Sequence, residues 1–275
     1  MYHIIVPIDF SSESLKGLEL AILFSGNMES KIQMVYVQKK SMDYSPGSKE
    51  QELRFAKEEF AKLKEKYSIR LPQNIKLDYI IKTGRIYREI VNQADSFKES
   101  FIVTSTHGAS GFEKFFIGSN AFKIISATSK PVVTIRANEL PQKISKIIFP
   151  LDITTDSRQK LSFTAELARL FNAEVHVITI SSLQTEDITK KLSLYSNQVC
   201  DYLEKRKIKC LTDSLTGSNL VELILNYSKL VKADLISIMT EQISDANYIL
   251  GTAAQQLLNR SEIPVLSINP KELHV

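Results

Sequence analysis

The sequence lacks tryptophan, has few cysteines and contains no long apolar segment. Its two cysteines, Cys200 and Cys210, are too few for a disulfide framework and too far apart for a zinc knuckle, so we expect reduced thiols that bind no metal. No run of about 18 apolar residues occurs, so neither a transmembrane helix nor a membrane partner is expected. The first residues enter a strand pattern without a signal-peptide region, which predicts a cytoplasmic protein.

An excess of charge of one sign is also missing. The formal net charge is +4, and basic residues alternate with acidic ones, so no nucleic-acid partner is expected. The sequence has neither the G-x4-G-K-[ST] loop of P-loop enzymes nor the G-x-G-x2-G turn of dinucleotide-binding folds, which excludes both classes. With 43% hydrophobic and 24% charged residues, the composition is that of an ordinary globular protein.

The sequence does contain one set of landmarks that occurs twice. Each half has a strand ending in Pro-x-Asp, at Asp9 and Asp152, followed later by Thr-Gly, by Gly-Ser or Gly-Thr, and by Pro-Val. The last three landmarks are separated by 34 and then 13 residues in both halves, at Gly84, Gly118 and Pro131 and at Gly217, Gly251 and Pro264. Shared spacing indicates a duplicated domain, which we predict at residues 1–137 and 144–275.

Both halves alternate short strand-like runs with amphipathic helical patterns. Five such runs occur in each half, for example Ile4 to Ile8 and Phe101 to Ser105. Because the strand interiors are mostly apolar, each sheet is expected to be parallel and covered by helices on both faces. The fold class predicted is α/β, with two doubly wound five-stranded parallel-sheet domains.

In such sheets a ligand lies beyond the carboxyl ends of the strands, where the strand order reverses. Asp9, Val37 and the segment from Ser105 to Gly108 leave three strands of the first half, and Gly118 opens the next helix. Glycines and the first amides of a helix suit a phosphate group. A carboxylate at Asp9 could accept from a ribose hydroxyl or help to hold a metal, and the backbone of Val37 could meet a base edge.

These residues resemble the nucleotide-binding members of the universal stress protein family, which carry a G-x2-G-x9-G-[ST] pattern. Here the pattern reads Ser105-x2-Gly108-x9-Gly118-Ser119, with serine in place of the first glycine. The resemblance covers the whole chain as two repeats. It implies a strand order of 3-2-1-4-5 in each half and an intramolecular pseudo-dimer formed through the last strand of each half. Two such chains could associate as a homodimer of pseudo-dimers.

The resemblance also implies a ligand, ATP or another adenine nucleotide, with or without Mg²⁺. It is expected to bind at nine positions of the first half: Pro7, Asp9, Val37, Ser105, His107, Gly108, Gly118, Ser119 and Asn120. No protein partner is indicated by the sequence.

The second half departs from this pattern. Met239, Glu241 and Gln242 stand where the first half has Ser105, His107 and Gly108, while Asp152 and Gly251-Thr252 remain. Acidic side chains near the phosphate position would repel the ligand. We therefore predict that the second half binds a triphosphate weakly or not at all.

The sequence provides groups that can hold phosphates but no convincing nucleophile and base, which favours a nucleotide-sensitive regulator of the stress response over an enzyme. Two alternatives remain open. One is a slow ATPase that uses Asp9 for Mg²⁺ and His107 near the phosphates, and the other is a scaffold that binds no nucleotide. Individual residues also have plainer interpretations, because Asp9 could brace a turn, and Gly118 and Gly251 could serve helix–strand packing.

Overall fold

A computed structural model describes residues 1–39, 46–72, 75–106, 118–136, 140–154, 156–240 and 251–270. The chain divides into two compact units, Met1–Ile135 and Arg136–Val275, which are described separately below. The arrangement of the two halves as a pseudo-dimer stays a prediction.

The first unit alternates strands and helices around one parallel sheet. Its strands are β1 (Tyr2–Pro7), β2 (Ser30–Lys39), β3 (Lys76–Gly84), β4 (Ser100–Ser105) and β5 (Val132–Ile135). Its helices are α1 (Ser12–Ser25), α2 (Pro46–Ser68), α3 (Ile86–Asp95) and α4 (Ser119–Ala127). The strand order is β3-β2-β1-β4-β5, which confirms the predicted 3-2-1-4-5 arrangement.

The second unit repeats this plan. Its strands are β6 (Lys146–Leu151), β7 (Glu174–Ser181), β8 (Cys210–Thr216), β9 (Leu235–Met239) and β10 (Val265–Ile268). Its helices are α5 (Leu161–Phe171), α6 (Glu186–Glu204), α7 (Leu220–Val231) and α8 (Thr252–Arg260), and a short 3-10 turn (Asp156–Arg158) precedes α5. The strand order is β8-β7-β6-β9-β10, so corresponding strands follow the same order as in the first unit.

The central strands form the core of each unit. In β4, Phe101, Ile102 and Val103 are fully buried, as expected of a parallel strand covered on both faces. Two of the helices begin at a hydroxyl cap: the Ser11 Oγ accepts from the Ser14 amide at 3.2 Å, and the Thr185 Oγ1 accepts from the Ile188 amide at 3.4 Å. Within the described residues, no helix is both long and apolar enough to cross a membrane.

The two cysteines form a disulfide, so the prediction of reduced thiols was wrong. Cys200 lies in α6 and Cys210 opens β8, and their Cα atoms are 5.6 Å apart. Between them the chain reverses at Lys207, whose φ is 60°, and the Ile208 amide donates to the Leu203 carbonyl at 3.0 Å. The two cysteines meet because a helix-to-strand turn brings residues near in sequence side by side, which the spacing of a disulfide framework or a zinc knuckle does not indicate.

Candidate functional site

Those predicted site residues of the first unit that the structure describes lie near the carboxyl edge of its sheet. Pro7 ends β1 and pairs with Val35 of β2, and on the other side Ile5 of β1 pairs with Ile102 of β4. Continuing the first register by two residues puts Asp9 level with Val37. Continuing the second by three puts Ile8 level with Ser105. Asp9 therefore leaves the sheet between Val37 and Ser105, at the point where the strand order reverses.

Asp9 forms a hydrogen-bonded turn at the start of α1. Its Oδ1 accepts from the Ser11 amide at 3.1 Å and from the Ser11 hydroxyl, and the Asp9 amide donates to the Ser14 Oγ at 3.4 Å. The side chain is exposed to solvent. The carboxylate thus braces the turn, as one plainer interpretation of the sequence expected, and it is held at the surface of the site.

Phe10, the residue that follows Asp9, anchors this turn. It was not among the residues predicted from the sequence. Its φ of 63° lies in the left-handed region, which a phenylalanine rarely adopts. Its ring lies 5.0 Å from Phe60, 5.2 Å from Tyr36 and 5.7 Å from Phe55, centroid to centroid. This aromatic cluster anchors the chain directly after Asp9 against β2 and α2. The only sequence signal was an aromatic residue directly after the Pro-x-Asp landmark.

The start of α4 lies at the end of β4. The Gly118 amide donates to the Thr106 carbonyl at 2.6 Å, and the Thr106 amide donates to the Ile135 carbonyl at 2.9 Å. Gly118 is the N-cap residue and offers no side chain to the first turn, in which Ser119 and Asn120 are exposed. The amides of a first helical turn have no partner within the helix and lie at its positive end, so this terminus suits an anion.

Ser105 is positioned by the close approach of α1 to β4. A Cβ atom added to Gly17 would lie 3.3 Å from the Ser105 amide nitrogen, which is tighter than ordinary contact. Glycine at position 17 therefore lets the helix backbone lie against the last residues of β4. His107 and Gly108, two further predicted site residues, lie outside the described residues.

The second unit keeps the same turn. Asp152 Oδ1 accepts from the Thr154 amide at 2.8 Å and from the Thr154 hydroxyl, and the Ser157 Oγ donates to the Thr154 carbonyl at 2.9 Å. Ile153, the counterpart of Phe10, is 43% exposed. Gly251 is again the N-cap residue of the helix that follows, but unlike Gly118 it is buried.

A buried lysine distinguishes the second unit most clearly. Lys160 stands 143 positions after Gly17, as Asp152 stands after Asp9, and it is 2% exposed. Its Nζ donates to the Pro150 carbonyl at 2.8 Å and to the Ser157 carbonyl, and it lies 4.3 Å from the centre of the Phe149 ring. Burial lowers the pKa of Lys160 to about 7, and the nearby Asp152 carboxylate opposes this shift. Lys160 thus links β6 to the 3-10 turn that follows it. Glu241 and Gln242 lie outside the described residues.

The comparison with known families gives a match in both halves. A model of the universal stress protein family matches residues 1–136 and again 143–269. No match was found among curated proteins.

Solved structures agree with the fold along the whole chain. A universal stress protein from Archaeoglobus fulgidus DSM 4304 is 20% identical with a TM-score of 0.81, and the alignment covers 97% of this chain and 98% of that one. A protein of unknown function from Pseudomonas aeruginosa PAO1 is 16% identical with a TM-score of 0.66, covering 98% of this chain and 92% of that one. At these identities the likeness is one of fold.

Proposed function

The chain belongs to the universal stress protein family, a family of stress-response proteins, and on that premise we propose that its first unit binds ATP or a related adenine nucleotide. The hydrogen bond from Gly118 to Thr106 carries the proposal. This bond holds the start of α4, which has no side-chain cap, at the carboxyl end of β4. Strand β4 pairs with β1, the strand that leads to Asp9.

Each part of a nucleotide has a matching group in this proposal. The phosphates lie at the amides of the first turn of α4, where the Ser119 hydroxyl adds a donor. The ribose lies near Asp9, whose carboxylate accepts hydroxyl donors in the way it already accepts from Ser11. The base lies near the backbone of Val37, level with Asp9 across β1 and β2. A metal such as Mg²⁺ would be held through the phosphates.

The proposed role is regulation by nucleotide binding. The Oδ1 atom of Asp9 already accepts two hydrogen bonds from Ser11, which suits a carboxylate that orients a ligand better than one that must take up a proton. The groups brought together here are donors and a braced carboxylate. They are suited to holding a charged ligand in one orientation, so that its presence can change the surface the protein offers.

A titration of the full chain with ATP and Mg²⁺ tests the proposal. Gly118→Asp puts a carboxylate at the start of α4, and Gly251→Asp makes the same change at the start of α8. Calorimetry should show saturable binding that is lost in the Gly118 variant and retained in the Gly251 variant, with circular dichroism as the check on folding. Absence of binding by the native chain, or equal loss in both variants, would contradict the proposal.

Phosphate release measured on the same samples separates binding from turnover. Steady release by the native chain, above the level of the Gly118→Asp variant, would replace the regulator with the slow ATPase. Release no greater than in that variant would support the regulator.

A further inference from the structure

A basic cavity of about 650 Å³ lies within the second unit, at the end of the sheet opposite the Asp152 turn. Lys146 and Glu174 begin β6 and β7, and Lys209 directly precedes β8. Five of its lining residues are cationic and one is acidic: Lys146, Arg169, Arg206, Lys207, Lys209 and Glu174. The volume falls within the range of roughly 300 to 1,000 Å³ that is typical of small-molecule sites.

The one acidic side chain is already paired. Glu174 accepts from the Lys209 ammonium at 2.7 Å, contacts His176 at 3.1 Å and lies 4.0 Å from the Lys146 ammonium. These hydrogen bonds lower the pKa of Glu174, with Lys209 contributing most. Its negative charge is therefore already paired with the lysines that line the cavity.

Two of the cations have no such partner. Within the described residues, the side chains of Arg169, in the last turn of α5, and Lys207, in the turn before β8, make no hydrogen bond or ion pair, and both are exposed. Arg206 has its guanidinium packed 3.4 Å from the centre of the Tyr202 ring. The cavity therefore has an excess of positive charge, and an anion could bind without displacing an existing ion pair.

The first unit does not carry these two charges. The register shared by β1–β2 and β6–β7 aligns Gly26 with Arg169, and in the sequence Asn74 stands where the second half has Lys207. Because the first unit has the same strand order without them, the fold itself does not require cations at these positions. They are features of the second unit alone.

The disulfide places three of the cavity's cations in one closed loop. Arg206, Lys207 and Lys209 all lie between Cys200 and Cys210. Ile208 anchors this loop by its burial. A loop held in this way loses little further freedom when a ligand binds, so the cations are preorganised.

We propose that this cavity binds a small phosphate-bearing polyanion with at least two phosphate groups. Arginine presents a planar fork that matches phosphate oxygens, and lysine adds a point charge, so Arg169 and Lys207 can each engage one phosphate. This site is separate from the nucleotide site proposed in the first unit. It gives the second unit a ligand of its own.

Titration with inorganic pyrophosphate tests this site. The full chain carries Gly118→Asp as background, so that the start of α4 does not contribute to binding. Arg169→Gln and Lys207→Asn each remove one charge, and asparagine tolerates the left-handed backbone of position 207. Lys232→Asn is the matched control, because Lys232 is also an exposed lysine with a left-handed φ, here 54°, and lies outside the cavity.

Calorimetry should show saturable binding of pyrophosphate that weakens about tenfold in each cavity variant and less than about twofold in the control. Circular dichroism of all three variants checks that they fold. The proposal is overturned if the background chain shows no saturable binding up to about 10 mM pyrophosphate, or if Lys232→Asn weakens binding as much as the cavity variants do.

Discussion

The turns after β1 and β6 share their hydrogen bonds and differ in what supports them. In both, an aspartate two residues past the proline braces a serine or threonine two positions later. Beneath the first turn, Gly17 lets α1 approach β4 and an aromatic cluster packs on Phe10. Beneath the second, the buried Lys160 donates to the Pro150 carbonyl of β6 and to the Ser157 carbonyl of the 3-10 turn. The duplicated landmarks therefore preserve a shape, and the supporting residues differ between the two halves.

The largest expected effect comes from Lys160. Its pKa of about 7 in the folded chain lies below the ordinary value of 10.5, so between these pH values the unfolded chain binds more protons. The free energy of unfolding of the second unit should therefore rise by up to about 1.4 kcal/mol per pH unit from pH 7 towards pH 10. Lys160→Met should remove this component.

Urea denaturation of both chains across this pH range measures the difference. Glycine at position 17 gives the first unit no counterpart of this group, so its stability should show no such component. If the stability of the native chain and that of the Lys160→Met chain changed with pH in parallel, the predicted contribution of Lys160 would be contradicted.

The disulfide should have the next largest effect, again in the second unit alone. Replacing Cys200 and Cys210 by serine frees a short loop, and a closed loop of this length stabilises a protein by about 3 kcal/mol. Thermal denaturation with and without a reductant should reproduce the loss in the native chain and show no reductant effect in the double variant. The double variant should also bind pyrophosphate more weakly if the loop preorganises the cavity.

Phe10→Ala should destabilise the first unit by about 2 kcal/mol, because a half-buried ring with three aromatic neighbours is removed. The matched change in the other half is Ile153→Ala, which should have an effect below about 0.5 kcal/mol because that side chain is 43% exposed. Denaturant unfolding of the two variants makes the comparison. Equal effects would show that the aromatic cluster does not support the turn.

Ser11→Ala should destabilise the first unit less than Phe10→Ala does, by about 1 kcal/mol, since its hydroxyl caps α1. Thr154→Ala should lose less, because the 3-10 turn and Lys160 also hold that loop. Denaturation curves of the two alanine variants decide the order. A larger loss of stability in Thr154→Ala than in Ser11→Ala would contradict this prediction.

The fold could be predicted because its signals are local and repeated. Apolar strands, helical periodicity and matching intervals between glycines and prolines all point to the same doubly wound sheet. The positions of Asp9 and Gly118 followed from the rule that parallel strands end at one edge. These inferences needed only the order of elements.

Three features could not be predicted, because each depends on tertiary context. A lysine is most often exposed, and nothing near Lys160 in the sequence marks it as buried. Phenylalanine has no preference for positive φ, so the conformation of Phe10 depends on the cluster around it. The pairing of Cys200 with Cys210 depends on the chain reversal at Lys207.

A crystal structure of the full chain grown with ATP and Mg²⁺ would show at which helix start the nucleotide binds. We expect phosphate density at the first turn of α4, within hydrogen-bonding distance of the Ser119 and Asn120 amides, and none at the first turn of α8. Triphosphate bound at Thr252 of α8, or at neither helix under saturating nucleotide, would contradict this expectation.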